Sequence, residues 1–152
     1  MKKFAFTLQT VHRVREMRED QEKLIFGEMQ AEVDQAAARL ENIEKPRRAA
    51  MENYSKRLRS GEQFDPLEMQ LHSSHFESLI RLRQDAEREL EGKKQACLRQ
   101  GETLAQAIRE VKVTNRLRET QKARYELESA RQEQNSIDEL VSANFARQIT
   151  RQ

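Results

Sequence analysis

Apolar residues recur at alternating steps of three and four along most of this chain, the spacing of a helix that buries one narrow stripe. The clearest run is Met29, Val33, Ala36, Leu40 and Ile43, which resumes as Ala50, Tyr54 and Leu58 after Arg47 occupies one position of the stripe. This is a heptad seam. Nearer the start the stripe reads Phe4, Leu8, Val11 and Val14, and its phase toward Leu24 and Ile25 is blurred by Arg18 and Gln21. A second run follows as Phe76, Leu79, Arg83, Ala86 and Leu90. A strict seven-residue row then takes over at Leu90, Cys97, Leu104 and Val111, turns polar at Arg118, returns at Tyr125 and turns polar again at Gln132. Ile137, Val141, Phe145 and Ile149 form a last stripe in a different phase.

Between the two runs lies one cluster of breakers, Ser60-Gly61-Glu62-Gln63-Phe64-Asp65-Pro66. It predicts a first helix over about 4–60, a turn over 61–65 and a second helix over about 66–148. Asp65 suits the N-cap, Pro66 the first helical position, and Glu68 completes a capping box. Pro46 removes one helical hydrogen bond and disfavours helix at Lys45, which predicts a kink or a short break. The fold expected is all-α: a long antiparallel two-helix coiled-coil hairpin, its second helix longer than its first, in a single domain over 1–152. Folding at residue 63 brings positions i and about 126 − i level, so Leu40 lies near Ala86 and Phe4 near Lys122. The paired rod is then roughly 85 Å long, and residues past about Gln121 overhang by roughly 45 Å with no partner in the chain. Gly27 and Gly101 come nearly level, which suggests close helix approach or a soft point.

Composition narrows the choice. Charged residues make up 36% of the chain and aromatics 5%, and there is no Trp, so a three-dimensional core is out of reach and burial is confined to the stripe. A mean hydropathy of −0.97 also fits disorder, but four Gly and two Pro among many Ala, Glu, Arg, Gln and Leu favour helix. The start, Met1-Lys2-Lys3-Phe4-Ala5-Phe6, resembles a signal peptide until Gln9, Thr10, His12 and Arg13 interrupt it. No segment approaches the ~18 apolar residues of a membrane span, so a soluble cytoplasmic protein is expected. Net charge is +2, yet residues 1–18 and 109–124 carry eleven Lys or Arg (Lys2, Lys3, Arg13, Arg15, Arg18, Arg109, Lys112, Arg116, Arg118, Lys122, Arg124) against three acids. That end is +8 and the remainder −6, a polarity able to orient the chain on a partner. The basic end lacks interleaved stacking aromatics, so an acidic protein surface fits it better than nucleic acid.

No catalytic constellation is present: no Gly-rich phosphate loop, no nucleophile elbow, no paired Cys. The carboxylates lie on solvated helix faces, where they solubilise and form i,i+4 pairs. No enzyme activity, cofactor or metal is expected. His72 and His75 stand one turn apart, a spacing that can begin a metal site, but no further ligands come level, and exposed residues near the turn are the simpler reading. His12 has no partner in the pattern. Cys97 excludes an intramolecular disulfide and reads as a small buried hydrophobe.

Both ends of the chain resemble the FliJ family, coiled-coil proteins of the bacterial flagellar type III export apparatus. The N-terminal match is Phe4-x-Phe6-x-Leu8-x-x-Val11-x-x-Val14-Arg15-Glu16. The C-terminal match is Arg131-x-Glu133-Gln134-x-x-Ile137-Asp138-Glu139-Leu140, followed by Phe145. The resemblance implies a non-enzymatic stalk in the hexameric export ATPase. It also implies binding to the cytoplasmic domain of the export-gate membrane protein, a part in turnover of export chaperones, and a cytoplasmic location peripheral to the inner membrane. Carried onto these positions, ATPase-ring contacts fall to Phe4, Phe6, Leu8, Val11, Arg116, Arg118, Lys122, Arg124, Ile137, Asp138, Glu139, Val141 and Phe145. Gate contacts fall to Phe76, Leu79, Ile80 and Arg83, although the family position matching Arg83 is often small or apolar. Phe76 and Leu79 also fit the internal seam, whereas Ile80 lies beside it. Three other readings stay open: a generic coiled-coil adaptor or chaperone presenting the 137–149 stripe, the related stalk of an injection-type secretion system, and a polyanion-binding rod; self-association through the tail stays open as a further contact.

Overall fold

The computed structural model describes residues 3–149, among which there are two helices and no strand: α1 (Gln9–Arg59) and α2 (Pro66–Ile149). Contacts divide the chain into two compact units. A turn unit holds Gln21–Ala105, and a terminal unit holds the residues up to Asp20 together with those from Gln106 onward. In each unit a stretch of α1 packs antiparallel against a stretch of α2.

In the turn unit the inward positions of α2 are His72, Phe76, Leu79, Arg83, Ala86, Leu90, Lys93, Cys97, Gln100 and Leu104, an unbroken four-three alternation. Facing them on α1 are Glu22, Phe26, Met29, Val33, Ala36, Leu40, Ile43, Arg47, Ala50, Tyr54 and Arg57. Cross-helix contacts confirm the register. Arg39 meets Glu89 at 2.8 Å, Lys93 meets Glu32 at 3.0 Å, and the Cys97 thiol points to Gln30 Oε1 at 3.6 Å. Small side chains are the ones enclosed: Ala36 is 2% exposed, and Ala86 and Cys97 are buried too. The larger apolar residues of the seam are only half-buried, because two helices cover one side of a stripe and leave its flanks wet.

The turn follows the breaker cluster. Gly61 adopts a φ of 75°, the left-handed conformation that ends a helix at little cost only in glycine. The Ser60 hydroxyl donates to the Arg57 carbonyl at 2.8 Å. Phe64 folds back onto Tyr54 and His72, with ring centroids 5.3 and 6.0 Å away, and Arg57 lies over its face at 4.4 Å. The predicted capping box does not form: Asp65 makes no side-chain hydrogen bond to the first turn of α2, and Glu68 turns to Arg57 at 2.9 Å. Hydrogen bonds to Glu62 and then Glu68 raise the Arg57 pKa above its ordinary value.

Three further expectations are corrected. α1 starts at Gln9 rather than Phe4. On a helix, residues 4 and 6 would point ~200° apart, whereas in an extended segment both face the same side. Here both rings are used: Phe4 packs on Tyr125 at 5.7 Å and Phe6 on His12 at 6.4 Å. Of the two outcomes expected at Pro46, the short break does not occur, since α1 runs through it without interruption. Leu58 is 51% exposed, and Arg57 takes the seam position ahead of it.

Candidate functional site

The terminal unit departs most from the apolar pattern. Stepping back from Phe26 by alternating four and three lands on Glu22, Glu19, Arg15 and His12, and these are the inward positions of α1. The stripe expected there is turned outward instead: Val11 is 42% exposed and Val14 59%. His12, which had no visible partner in sequence, is 2% exposed. Its Nδ1 lies 2.7 Å from Thr114 Oγ1 and its Nε2 3.2 Å from Glu16. Arg15 donates to the Glu110 carbonyl at 3.0 Å, and Arg18 approaches the Glu110 carboxylate at 3.7 Å. A polar layer thus holds this part of the helix pair, and the apolar residues are displaced to its surface.

That surface combines apolar and basic groups. Val11 and Val14 line a hollow of about 340 Å³ with Thr10, Arg15, Arg18 and Glu110. Phe4 and Phe6 line a second, of about 520 Å³, with Gln9, Arg118, Glu119 and Lys122, as the level pairing of Phe4 with Lys122 anticipated. Leu8, Met17, Val113 and Leu117 are exposed as well. Met17, Val113 and Leu117 belong to no seam and to no stripe long enough to show in the sequence. Arg118 is half-buried and donates to Asn115 at 3.1 Å, Lys122 pairs with Glu126 at 3.8 Å, and Arg116 and Arg124 are exposed. Lys2, part of the basic cluster, lies outside the described residues, as do the last residues from 150 onward.

Pairing continues further along α2 than Gln121, since Tyr125 meets Phe4. From Ala130 to Ile149 every residue is exposed. Ile137, Val141 and Phe145 share one face of this tail and are each more than half exposed. Asp138 accepts a hydrogen bond from Gln134 at 2.9 Å, and Glu139 is exposed.

In the turn unit, Phe76 and Leu79 occupy the seam, and Phe76 meets the Tyr54 ring edge-on at 5.6 Å. Ile80 is 41% exposed beside them. Arg83 is held in an ion-pair cluster: it contacts the buried Glu44, whose carboxylate also faces Arg47 at 3.5 Å and Arg48 at 3.7 Å, and it reaches Glu87 at 3.0 Å. His72 is not an exposed surface residue but packs among Tyr54, Phe64 and Phe76, while His75 is exposed. Of the two glycines expected to face each other, only Gly101 meets the opposite helix. A Cβ there would stand 3.4 Å from the Phe26 ring, whereas at Gly27 it would meet nothing.

Among the described residues no group of three His, Cys, Asp or Glu could hold a metal ion, and no helix is long and apolar enough to cross a membrane. No curated protein and no solved structure matches the chain. The family model described as "Flagellar FliJ protein" matches residues 4–150, nearly the whole length. With two helices, the second longer, and matching ends, the chain belongs to the FliJ family and is a component of the flagellar protein export apparatus.

Proposed function

We propose that this chain is a non-enzymatic stalk of the export ATPase ring, which its terminal unit enters while its turn unit contacts the cytoplasmic domain of the export gate. The observation that carries the reading is the outward apolar and basic surface of the terminal unit. Val11 and Val14 line one hollow with Arg15 and Arg18, and Phe4 and Phe6 line another with Arg118 and Lys122. A narrow helix pair with such a surface fits the central hole of a ring better than a broad globular interface. Basic side chains around it favour an acidic lining and speed the encounter. At the gate-facing unit the contact falls chiefly to Ile80, since Phe76 and Leu79 are used inside and Arg83 is engaged with Glu44. Peripheral placement at the inner membrane and help with chaperone turnover follow from the same assignment.

Adding the purified protein to the export ATPase should raise both its hexamer population and its turnover. No change in either sinks the stalk reading. The exposed 137–149 face favours a second reading, an adaptor that presents its tail to a helical partner. Truncation after Gln121 separates the two: an adaptor loses its partner altogether, whereas a stalk loses ATPase stimulation and keeps its gate contact.

A further inference from the structure

We propose that the tail of one copy, Ile137–Ile149, docks in a groove on the turn unit of a second copy and lies parallel to α2 there. The groove is a hollow of about 560 Å³ floored by Phe26, Val33, Cys97 and Gly101, with Leu98 at its lip. Leu98 is 62% exposed although the lining beside it is mostly apolar or small, with Gln30 the polar exception against the Cys97 thiol. Gly101 has no side chain, and the Phe26 ring packs where its Cβ would be, so the floor at this level is an aromatic surface on which a second ring could stack. Two charges flank the hollow, Lys94 at one end and Glu102 at the other, about 12 Å apart along the helix. Among the described residues neither has an ion-pair or hydrogen-bond partner.

The tail carries the complementary pattern. Ile137, Leu140, Val141, Phe145 and Ile149 are all 54–66% exposed, with Asp138 on one flank and Arg147 on the other. One parallel register aligns most of these elements. Subtracting 44 from the tail numbering sets Phe145 level with Gly101, Val141 with Cys97 and Asp138 with Lys94, and brings Arg147 to the level of Glu102 within one residue, on the far side of the tail from Asp138. The reverse direction sets Asp138 against Glu102 and Arg147 against Lys94, like against like. Pairing of two tails with each other would leave the hollow and both lone charges unfilled. This is the helix-in-groove mode of recognition, with anchors at i, i+4 and i+8. It does not depend on the stalk reading, because its readout is self-association.

Sedimentation equilibrium of the full chain over a concentration series is the test. We expect a reversible dimer whose dissociation constant rises roughly tenfold or more with either Phe145→Glu or Leu98→Glu. Lys94→Asp should weaken it as well, and adding Asp138→Lys to that variant should restore it, a rescue that misfolding cannot mimic. None of these residues lies in the seam, and circular dichroism should show unchanged helicity. A chain that stays monomeric overturns the proposal. So does a dimer lost with Phe145→Glu but indifferent to Leu98→Glu and Lys94→Asp, which would mean that tails pair with tails.

Discussion

Replacing Thr114 by Val tests whether the polar layer of the terminal unit determines how its helices pack. The substitution keeps the volume of a side chain that is 3% exposed but removes the oxygen 2.7 Å from His12 Nδ1. His12 is 2% exposed, so no water replaces the lost partner. A buried polar atom stranded in this way costs about 1–3 kcal/mol. A loss of about 2 kcal/mol raises the local opening constant roughly 30-fold. Amide hydrogen exchange reads this directly: protected amides in 9–20 and 106–118 should exchange roughly 30-fold faster, while those in 30–57 keep their rates. The partner substitution completes a cycle. His12→Leu with Thr114→Val removes both members of the pair and strands neither, so the double variant should be more stable than Thr114→Val alone. The coupling between the two sites should reach about 1–2 kcal/mol. Glu16 loses its contact with His12 in this variant, but it is 54% exposed and returns to water at little cost. Unchanged exchange in Thr114→Val, or a double variant as damaged as the sum of its parts, would refute the claim that this pair acts as a unit.

Three other outcomes follow from the same contacts. Gly27→Ala and Gly92→Ala should each stabilise the chain by about 0.5–1 kcal/mol, because both glycines sit within helices with nothing within 4 Å of the added methyl. Gly101→Ala should gain less, since Phe26 lies at 3.4 Å, and the order of the three melting temperatures checks both statements. Leu104→Ala should cost about 1–2 kcal/mol, below the range of a fully enclosed leucine, because Leu104 is only half-buried; an unchanged urea midpoint would displace it from the seam. Ile80→Ala should leave the melting temperature intact while weakening binding to the gate domain in titration calorimetry, and a large fall in melting temperature would place Ile80 inside the pair instead.

The turn unit was legible because enough of its seam is apolar to show the spacing, although His72, Arg83, Lys93 and Gln100 also point inward. Leu90, Cys97 and Leu104 mark one row, and Met29 to Ile43 mark the opposite one, so spacing alone sets the register that Lys93–Glu32 and Arg39–Glu89 later display. The terminal unit was misread because the heptad continues there through residues of the wrong chemistry. Val11 and Val14 looked like seam by hydrophobicity, whereas the phase carried back from Phe26 selects His12 and Arg15. Phase is the sounder guide here, since the four-three alternation runs without a skip from Phe26 back to His12. Phe4 and Phe6 were missed as an extended pair for a related reason: a two-residue alternation just ahead of a helix reads as noise within a three-four pattern.

The displaced valines and the polar layer are two sides of one choice. Rotating α1 by a single position, ~100°, would bring Val11 inward and carry His12 out. Within the terminal unit that arrangement buries more apolar surface, although turning the whole of α1 would also carry Met29, Val33 and Ala36 out of the seam. What also opposes it is the set of directional contacts that only the observed register makes, His12 to Thr114 and Arg15 to the Glu110 carbonyl. Each contributes about 1 kcal/mol net when formed but costs more when one member is buried without the other, and a polar residue at a seam position is a known means of fixing register. The polar layer therefore decides which residues face outward. It holds Val11 and Val14 beside Arg15 and Arg18, on the surface a partner must meet, and substitutions that make the layer apolar should strengthen the helix pair while loosening its hold on that surface.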